Sequence, residues 1–285
     1  MEKNSSLQQI YGVLGYPAKH SLSPLMHNAA FKALGINAEY KIFEKRPEEL
    51  EDFLNSLFGE NIRGLNVTIP YKETVLKYLK WQSPEVRFTG ASNTIEVEDN
   101  NYLKGWNTDG IGFHRHLTVD LKFDITGKNV IILGAGGAAK AVTDQLARKK
   151  AGGISIYDID KNKGLELANK LNKEFPECQA IYVDTVDELD IKNSDLLINA
   201  TPIGMKENDP CLIDKSRIHN HLLVYDLIYN PAETKLLKMA KDKGARTSNG
   251  LGMLLYQGAL SLEVWTGQKA PLDIMRKVLT EGLKK

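Results

Sequence analysis

NVIILGAGGAAKAVTDQLARK, residues 129–149, opens with a β-branched run, turns through glycines and continues with the apolar spacing of a helix. A strand, a GxGxxA turn and a helix in that order predict a dinucleotide-binding βα unit, with a plain tight turn as the alternative. Gly134, Ala135, Gly136, Gly137 and Ala138 are small enough for the turn and for the close approach of a pyrophosphate, whose charge would face the helix N-terminus. Asp158 ends the next strand about 24 residues after Gly134, the spacing at which an acidic side chain meets the adenosine ribose. Its carboxylate would accept hydrogen bonds from the ribose hydroxyls and repel a 2′-phosphate, which favours NAD. Lys161 and Lys163 beside it would soften that repulsion and keep NADP open. The bland alternative is that Asp158 opens a solvated turn.

Outward from this unit the same alternation repeats. GISIYDID, QAIYVD, SDLLINATP and LLVYDLIYNP read as strands separated by helical stretches, so residues 111–249 form a domain of their own. Residues 1–110 show an independent βα series, YGVLGYP, SPLMHNAAFKALG, AEYKIFE, PEELEDFLNSLF and IRGLNVTIP followed by YKETVLKYL. Both halves predict an α/β fold with mostly parallel sheets covered by helices. ASNTIEVED and NYLKGWNTD read as an antiparallel hairpin around Asn100 and Asn101. Residues 250–285 are helical without another strand, and periodicity alone leaves open which domain they cover.

A composition of 42% hydrophobic and 26% charged residues is that of a soluble globular chain. The net charge of +1 and the absence of a dense basic stretch argue against nucleic acid as a partner. MEKNSSLQQIYGVLGYP is polar before it is apolar, unlike a signal peptide, and no apolar run is long enough to span a bilayer. A cytoplasmic protein is the default, in which Cys178 and Cys211 are isolated thiols rather than a pair. The histidines of HRH (114–116) and HNH (219–221) lack a nearby cysteine cluster or an HExxH pattern, so no metal site is expected.

Three junctions carry further candidates. In NVTIPYK (66–72), Leu65, Val67 and Ile69 alternate with Asn66 and Thr68, and Pro70 suits the first position of a helix. Lys72 would then lie in a first helical turn, where a cation is disfavoured by about 0.3–1 kcal/mol. It is either solvated or, with Asn66 and Thr68, part of a site. In SLSP, Ser23 reads as the N-cap of a helix starting at Pro24, while Ser21 is left over. Two hydroxyls at a helix N-terminus also suit a carboxylate, and both readings stand. In NTDG (107–110), Asp109 either caps a helix beginning at Gly110 or lies close to Lys72 and orients its amine.

SLSPLMHN, NVTIPYK, GASNT, NTDG, GAGGAAKA, NATPIGM, YDLIYNP and NGLGMLLYQGA, from residue 21 to residue 259, resemble in kind and order the blocks of the shikimate/quinate dehydrogenase family. The resemblance implies a substrate domain of residues 1–110 completed by the helices of 250–285, a Rossmann-type cofactor domain of 111–249, and an active site in the cleft between them. It implies Lys72 and Asp109 as the catalytic pair. Ser21, Ser23, Asn66, Thr68, Asn93, Tyr229 and Gln257 would hold the carboxylate and ring hydroxyls of a cyclic polyol carboxylate, shikimate or quinate. The glycine loop, Asp158, Thr201, Leu227 and Gly250 would line the nicotinamide cofactor. The protein would act as a monomer or homodimer on a small molecule. Three stretches depart from the pattern: GASNT replaces GAVNT, Asn249 stands where the family generally has aspartate, and YDIDKNK lacks the Asn-Arg-Thr of the NADP-specific members. The last implies NAD as the preferred cofactor. The alternatives are an NADP-dependent shikimate dehydrogenase of aromatic amino-acid biosynthesis and a non-catalytic sensor that has kept the fold.

Overall fold

The computed structural model describes residues 7–19 and 21–283. Residues 1–6, on which the reading of the N-terminus rests in part, lie outside that range. The chain divides into two compact units after Thr108 and again after Leu254. These divisions differ by a few residues from the expected 110/111 and 249/250. A helix opening at Asp109 packs on the second unit, and the beginning of the penultimate helix does the same.

In the first unit β1 (Gln9–Gly15) leads through α1 (Ser23–Leu34) to β2 (Ala38–Glu44), and α2 (Leu50–Ser56) returns the chain to β3 (Ile62–Val67). β4 (Trp81–Gln82), α3 (Pro84–Thr89) and the strands β5 (Thr94–Glu98) and β6 (Tyr102–Trp106) follow. The sheet order is β2-β1-β3-β5-β6-β4, with β2, β1 and β3 parallel and β5 antiparallel to both its neighbours. Asn100 and Asn101 turn the hairpin in the left-handed region, as their residue type allows. Leu14, Leu65, Val67, Ile95 and Leu103 of the strands pack with Leu50, Phe53 and Leu54 of α2 in one core. Because the strand order reverses about β1, the loops after β1 and β3 lie side by side at the carboxyl edge. Open α/β sheets bind ligands at such switch points.

Those two loops differ from expectation. No helix begins at Pro70: Tyr71 N–H donates to Thr68 C=O across a cis Ile69–Pro70 bond, and only a 3₁₀ turn at Thr74–Tyr78 follows. Ser92 N–H donates to the Lys72 carbonyl, so a contact distant in sequence takes the place of a helical bond there. Lys72 therefore lies in no helical turn and meets no helix dipole of its own. Ser23 is the first residue of α1 and does not cap it; its N–H donates instead to Ser21 Oγ at 3.2 Å. Pro24 follows immediately and has no N–H to be capped, and the hydroxyl two residues before Ser23 serves the Ser23 amide.

The second unit opens with α4 (Asp109–Arg115), which begins one residue earlier than expected and runs into a π-helical turn at His116–Asp120. β7 (Asn129–Leu133), α5 (Gly137–Arg148), β8 (Gly153–Tyr157), α6 (Lys161–Glu174) and β9 (Gln179–Tyr182) form its first half. β10 (Leu196–Asn199), β11 (Leu223–Asp226), α7 (Lys235–Asp242) and β12 (Arg246–Ser248) form its second. All neighbours are parallel in the order β12-β11-β10-β7-β8-β9, a doubly wound Rossmann-type sheet with its switch point between β7 and β10. α8 (Leu251–Thr266) crosses the division after Leu254, and α9 (Leu272–Gly282) packs on α1. Further along α8, Trp265 Nε1–H donates to Ile95 C=O of the first sheet at 2.9 Å.

One histidine of each pair serves the core or the backbone. His116 is buried with Nδ1 2.7 Å from the Tyr225 hydroxyl, and His219 Nε2 lies 3.0 Å from Ile191 C=O. Cys178 is buried and Cys211 half-buried, each a free thiol. Among the described residues no helix is long and apolar enough to cross a membrane.

Candidate active site

In the first unit the loop after β1 carries Ser21 and leads to Ser23 at the start of α1, and the loop after β3 carries Thr68 and Lys72. They are tied together by backbone bonds, Thr68 N–H to Leu14 C=O at 2.9 Å and Tyr16 N–H to Ile69 C=O at 3.0 Å. Gly15 must be small, since a Cβ there would lie 2.4 Å from Thr68 Cγ2. Lys72 is half-buried and partnered.

Asn66, Asn93 and Gln257, far apart in sequence, meet in one polar network. Asn93 Nδ2–H donates to Thr108 Oγ1 at 2.9 Å and to Gln257 Oε1 at 3.3 Å, while its Oδ1 accepts Thr108 N–H at 2.8 Å. Asn66 Nδ2–H donates to Ser261 Oγ at 2.9 Å and Thr94 Oγ1 at 3.2 Å. Tyr40 Oη–H donates to Asn66 Oδ1 at 2.8 Å, and the same phenol bonds the side chain of Ser23. Burial holds the Tyr40 phenol well above its ordinary pKa, so it stays a hydrogen-bond donor. The network joins the serine loop to the asparagines, and in a low-dielectric site each satisfied bond fixes its neighbours.

Tyr40, Thr94, Thr108 and Ser261 were not singled out in the sequence. Tyr40 is the one buried residue of β2, a mixed polar and apolar strand, and a buried tyrosine needs a partner for its hydroxyl. The departures from the family pattern are also accommodated. Ser92 is buried with its hydroxyl donating to Thr94 C=O and Trp106 C=O at 2.9 and 3.0 Å. Asn249 accepts Leu251 N–H at the start of α8 and donates to Ala232 C=O at 2.9 Å, a donation that aspartate could not make.

In the second unit Gly134 takes φ +105°, and a Cβ there would lie 3.1 Å from the Ala200 carbonyl, so only glycine suits this turn. At Gly136 and Gly137 a Cβ would meet nothing within 4 Å, and Gly136 gives α5 no side-chain cap. Open space and uncapped N–H groups at a helix N-terminus fit a pyrophosphate. Asp158 closes the loop from the next strand, its carboxylate accepting Ala135 N–H at 2.6 Å and Asp160 N–H at 2.7 Å. Each oxygen keeps a second lone-pair direction, so ribose hydroxyls can still bind.

Across the switch point, Thr201 donates its hydroxyl to Asn199 Oδ1 at 2.7 Å, and Asn199 Nδ2–H donates to Asp226 Oδ1 at 3.0 Å. Asp226 is fully buried and also accepts Thr234 Oγ1–H at 2.7 Å and Ile228 N–H at 3.0 Å. Burial raises its pKa against these three donors. The network holds Thr201 beside Leu227, whose N–H donates to Asn199 C=O, and Gly250 approaches so closely that a Cβ would lie 2.0 Å from Leu227 C=O. Tyr229 follows in the same segment, and burial raises its phenol pKa. Asp109, half-buried and partnered, opens α4, where Gly110 lies against α5.

Models of three protein families match the chain: "Shikimate dehydrogenase substrate binding domain" over residues 13–95, "Shikimate / quinate 5-dehydrogenase" over 118–222 and "Shikimate 5'-dehydrogenase C-terminal domain" over 250–280. A shikimate dehydrogenase (NADP(+)) of Methanopyrus kandleri is 42% identical over 279 residues, covering 96% of each chain. Among solved structures, a shikimate dehydrogenase in complex with NADP+ matches at 38% identity with a TM-score of 0.90, over 98% of this chain and 96% of its own. Shikimate 5-dehydrogenase of Listeria monocytogenes in complex with shikimate and NAD matches at 36% identity and the same TM-score, over 98% and 99%.

Proposed function

The chain belongs to the shikimate/quinate dehydrogenase family, NAD(P)-dependent dehydrogenases acting on a CH–OH group, and we propose that its own reaction is the NADP-dependent interconversion of shikimate and 3-dehydroshikimate. The near full-length likeness to an NADP(+)-dependent shikimate dehydrogenase at 42% identity carries this reading. In it, Ser21 and Ser23 donate to the substrate carboxylate, and Thr68, Asn66, Asn93, Gln257 and Tyr229 hold the ring hydroxyls. The nicotinamide ring supplies the site of hydride transfer when it is bound. Lys72 takes the proton of the reacting hydroxyl, and Asp109 orients and tunes that amine. Gly134–Ala138 admit the pyrophosphate, while Thr201, Leu227 and Gly250 line the nicotinamide.

The acidic end of β8 favours a second reading, NAD in place of NADP. In this reading Asp158, whose carboxylate follows β8 at the glycine loop, would repel a 2′-phosphate. Against it, Lys161 and Lys163 make surface pairs, to Asp184 at 2.6 Å and to Asp160 at 3.3 Å, and Lys161 also lies 6.0 Å from the Tyr182 ring centroid. Exposed pairs are worth about 0–1 kcal/mol each, so both lysines can be drawn to a phosphate at small cost. A kinetic matrix of shikimate or quinate with NADP or NAD decides both questions. We expect kcat/KM to be highest for shikimate with NADP. A tenfold advantage for NAD, about 1.4 kcal/mol, would establish the second reading. In the same assay Lys72→Ala should lower kcat by about 10²–10⁴ with little change in substrate affinity, and unaltered turnover would remove Lys72 from the mechanism.

A further inference from the structure

Three adjacent parallel strands, β2, β1 and β3, end at the same edge of the first sheet, yet only the loops after β1 and β3 carry residues assigned to the substrate. The end of β2 is nevertheless bonded to both of them. Glu44, its last residue, lies opposite Gly15 in the register. Its Oε1 accepts the N–H groups of Ala18 and Lys19 at 2.7 and 3.1 Å, within the loop that leads to Ser21 and Ser23. Ser21 N–H in turn donates to Ala18 C=O at 3.1 Å, so the bond at Ala18 is one step from the first serine. On the other side, Lys45 C=O accepts the hydroxyl of Tyr71, which is buried and immediately precedes Lys72.

Stability alone is a weak reason for this arrangement. Glu44 keeps about a fifth of its side chain exposed, and its ion pair with Lys19 spans 3.6 Å to a largely exposed partner. Such a pair contributes little. What the carboxylate does instead is join two consecutive backbone donors of an irregular loop to a rigid strand end, and a charged acceptor makes these bonds stronger than neutral ones. Those amides have no sheet or helix partner of their own.

We propose that Glu44 is a positioning residue for substrate binding, holding Ala18 and Lys19 so that Ser21, bonded to Ala18, and Ser23 face the substrate carboxylate. This rests on the assignment of those serines above. Because the brace acts on the serines assigned to the carboxylate and not on Lys72 or Asp109, its loss weakens ground-state and transition-state binding alike and appears in KM with little change in kcat.

The full-length enzyme with Glu44→Ala and Glu44→Gln tests it. Glu44→Ala should raise the KM for shikimate about tenfold or more while kcat and the KM for NADP stay within about twofold, and Glu44→Gln, which keeps an acceptor oxygen, should stay within about threefold of the parent. Amide hydrogen exchange on the same proteins should show faster exchange at Ala18 and Lys19 in Glu44→Ala. A folded Glu44→Ala enzyme with the parent's shikimate KM overturns the proposal, as does unchanged exchange at both amides. If the parent enzyme turns over neither shikimate nor quinate, the functional assignment fails separately, and amide exchange still decides whether the brace exists.

Discussion

Asn66 donates to Ser261 across 195 residues of sequence, and Tyr40, 26 residues before it, supplies the hydroxyl at its other end. Sequence spacing cannot show such bonds. It marked Asn66 by its strand face and missed the residues that orient it. The same region holds a buried group with no chemical task in the mechanism. His27 is fully buried and stacks on the Tyr40 ring at 4.4 Å and 5°; neither ring nitrogen has a hydrogen-bond partner of good geometry among the described residues, and the nearby Asn66 side chain favours the charged form less than burial opposes it. Burial pushes its pKa from 6.5 down to about 3. The folded protein therefore keeps His27 neutral where the unfolded chain protonates it, so unfolding takes up a proton between those two values. Stability from this residue falls as pH drops below about 6.5, by about 2 kcal/mol at pH 5 relative to pH 7. His27→Phe should remove that slope. Urea unfolding of both proteins at the two pH values should show the variant gaining about 2 kcal/mol on the parent at pH 5, and parallel pH dependence would contradict it.

At the scale of elements, α4 matters because it carries Asp109 at its first residue and touches α5 through Gly110. A Cβ at Gly110 would stand 2.1 Å from Ala141 C=O and 2.9 Å from Gln145 Cγ. The helix has no room to accept it without moving off α5. Gly110→Ala should cost about 1–3 kcal/mol in urea unfolding, the usual range for overpacking. The displaced Asp109 should lower kcat by about 10–100-fold; a destabilised but fully active variant would place Asp109 outside the mechanism, and a fully stable one would contradict the packing of Gly110 on α5. The glycines and the strand-to-helix alternation were legible in the sequence because they are local. β7, β8, β9, β10 and β11 all lie within the runs that announced them. The stretch after Pro70 was not legible. Tyr71, Val75, Tyr78 and Leu79 have α-helical spacing, but distant bonds from Ser92 and to Lys45 hold the chain out of a helix and only a 3₁₀ turn forms. β4 and β12, two and three residues long, were missed because such strands have no periodicity to read.

At the scale of the whole molecule, each unit has a core of its own. Leu14, Leu54, Val67 and Leu103 belong to one, Ile131, Leu197, Val224 and Leu237 to the other. The residues assigned to the substrate lie in the first unit except Tyr229, and those assigned to the cofactor lie in the second, from Gly134 to Gly250. Two cores with two ligands predict that each ligand stabilises chiefly the unit that holds most of its contacts. A ligand at 100 times its Kd stabilises the state it binds by about 2.7 kcal/mol, so amides that exchange only through opening of that unit should slow about 100-fold. Amide hydrogen exchange with shikimate alone should therefore slow amides of β1, β3, α1 and the later turns of α8 more than those of β7 to β12. NADP alone should do the reverse, most strongly at residues 134–140 and 199–204. Equal protection of both units by either ligand would mean that they open as one, and protection of β7–β12 by shikimate alone would contradict the placement of its site.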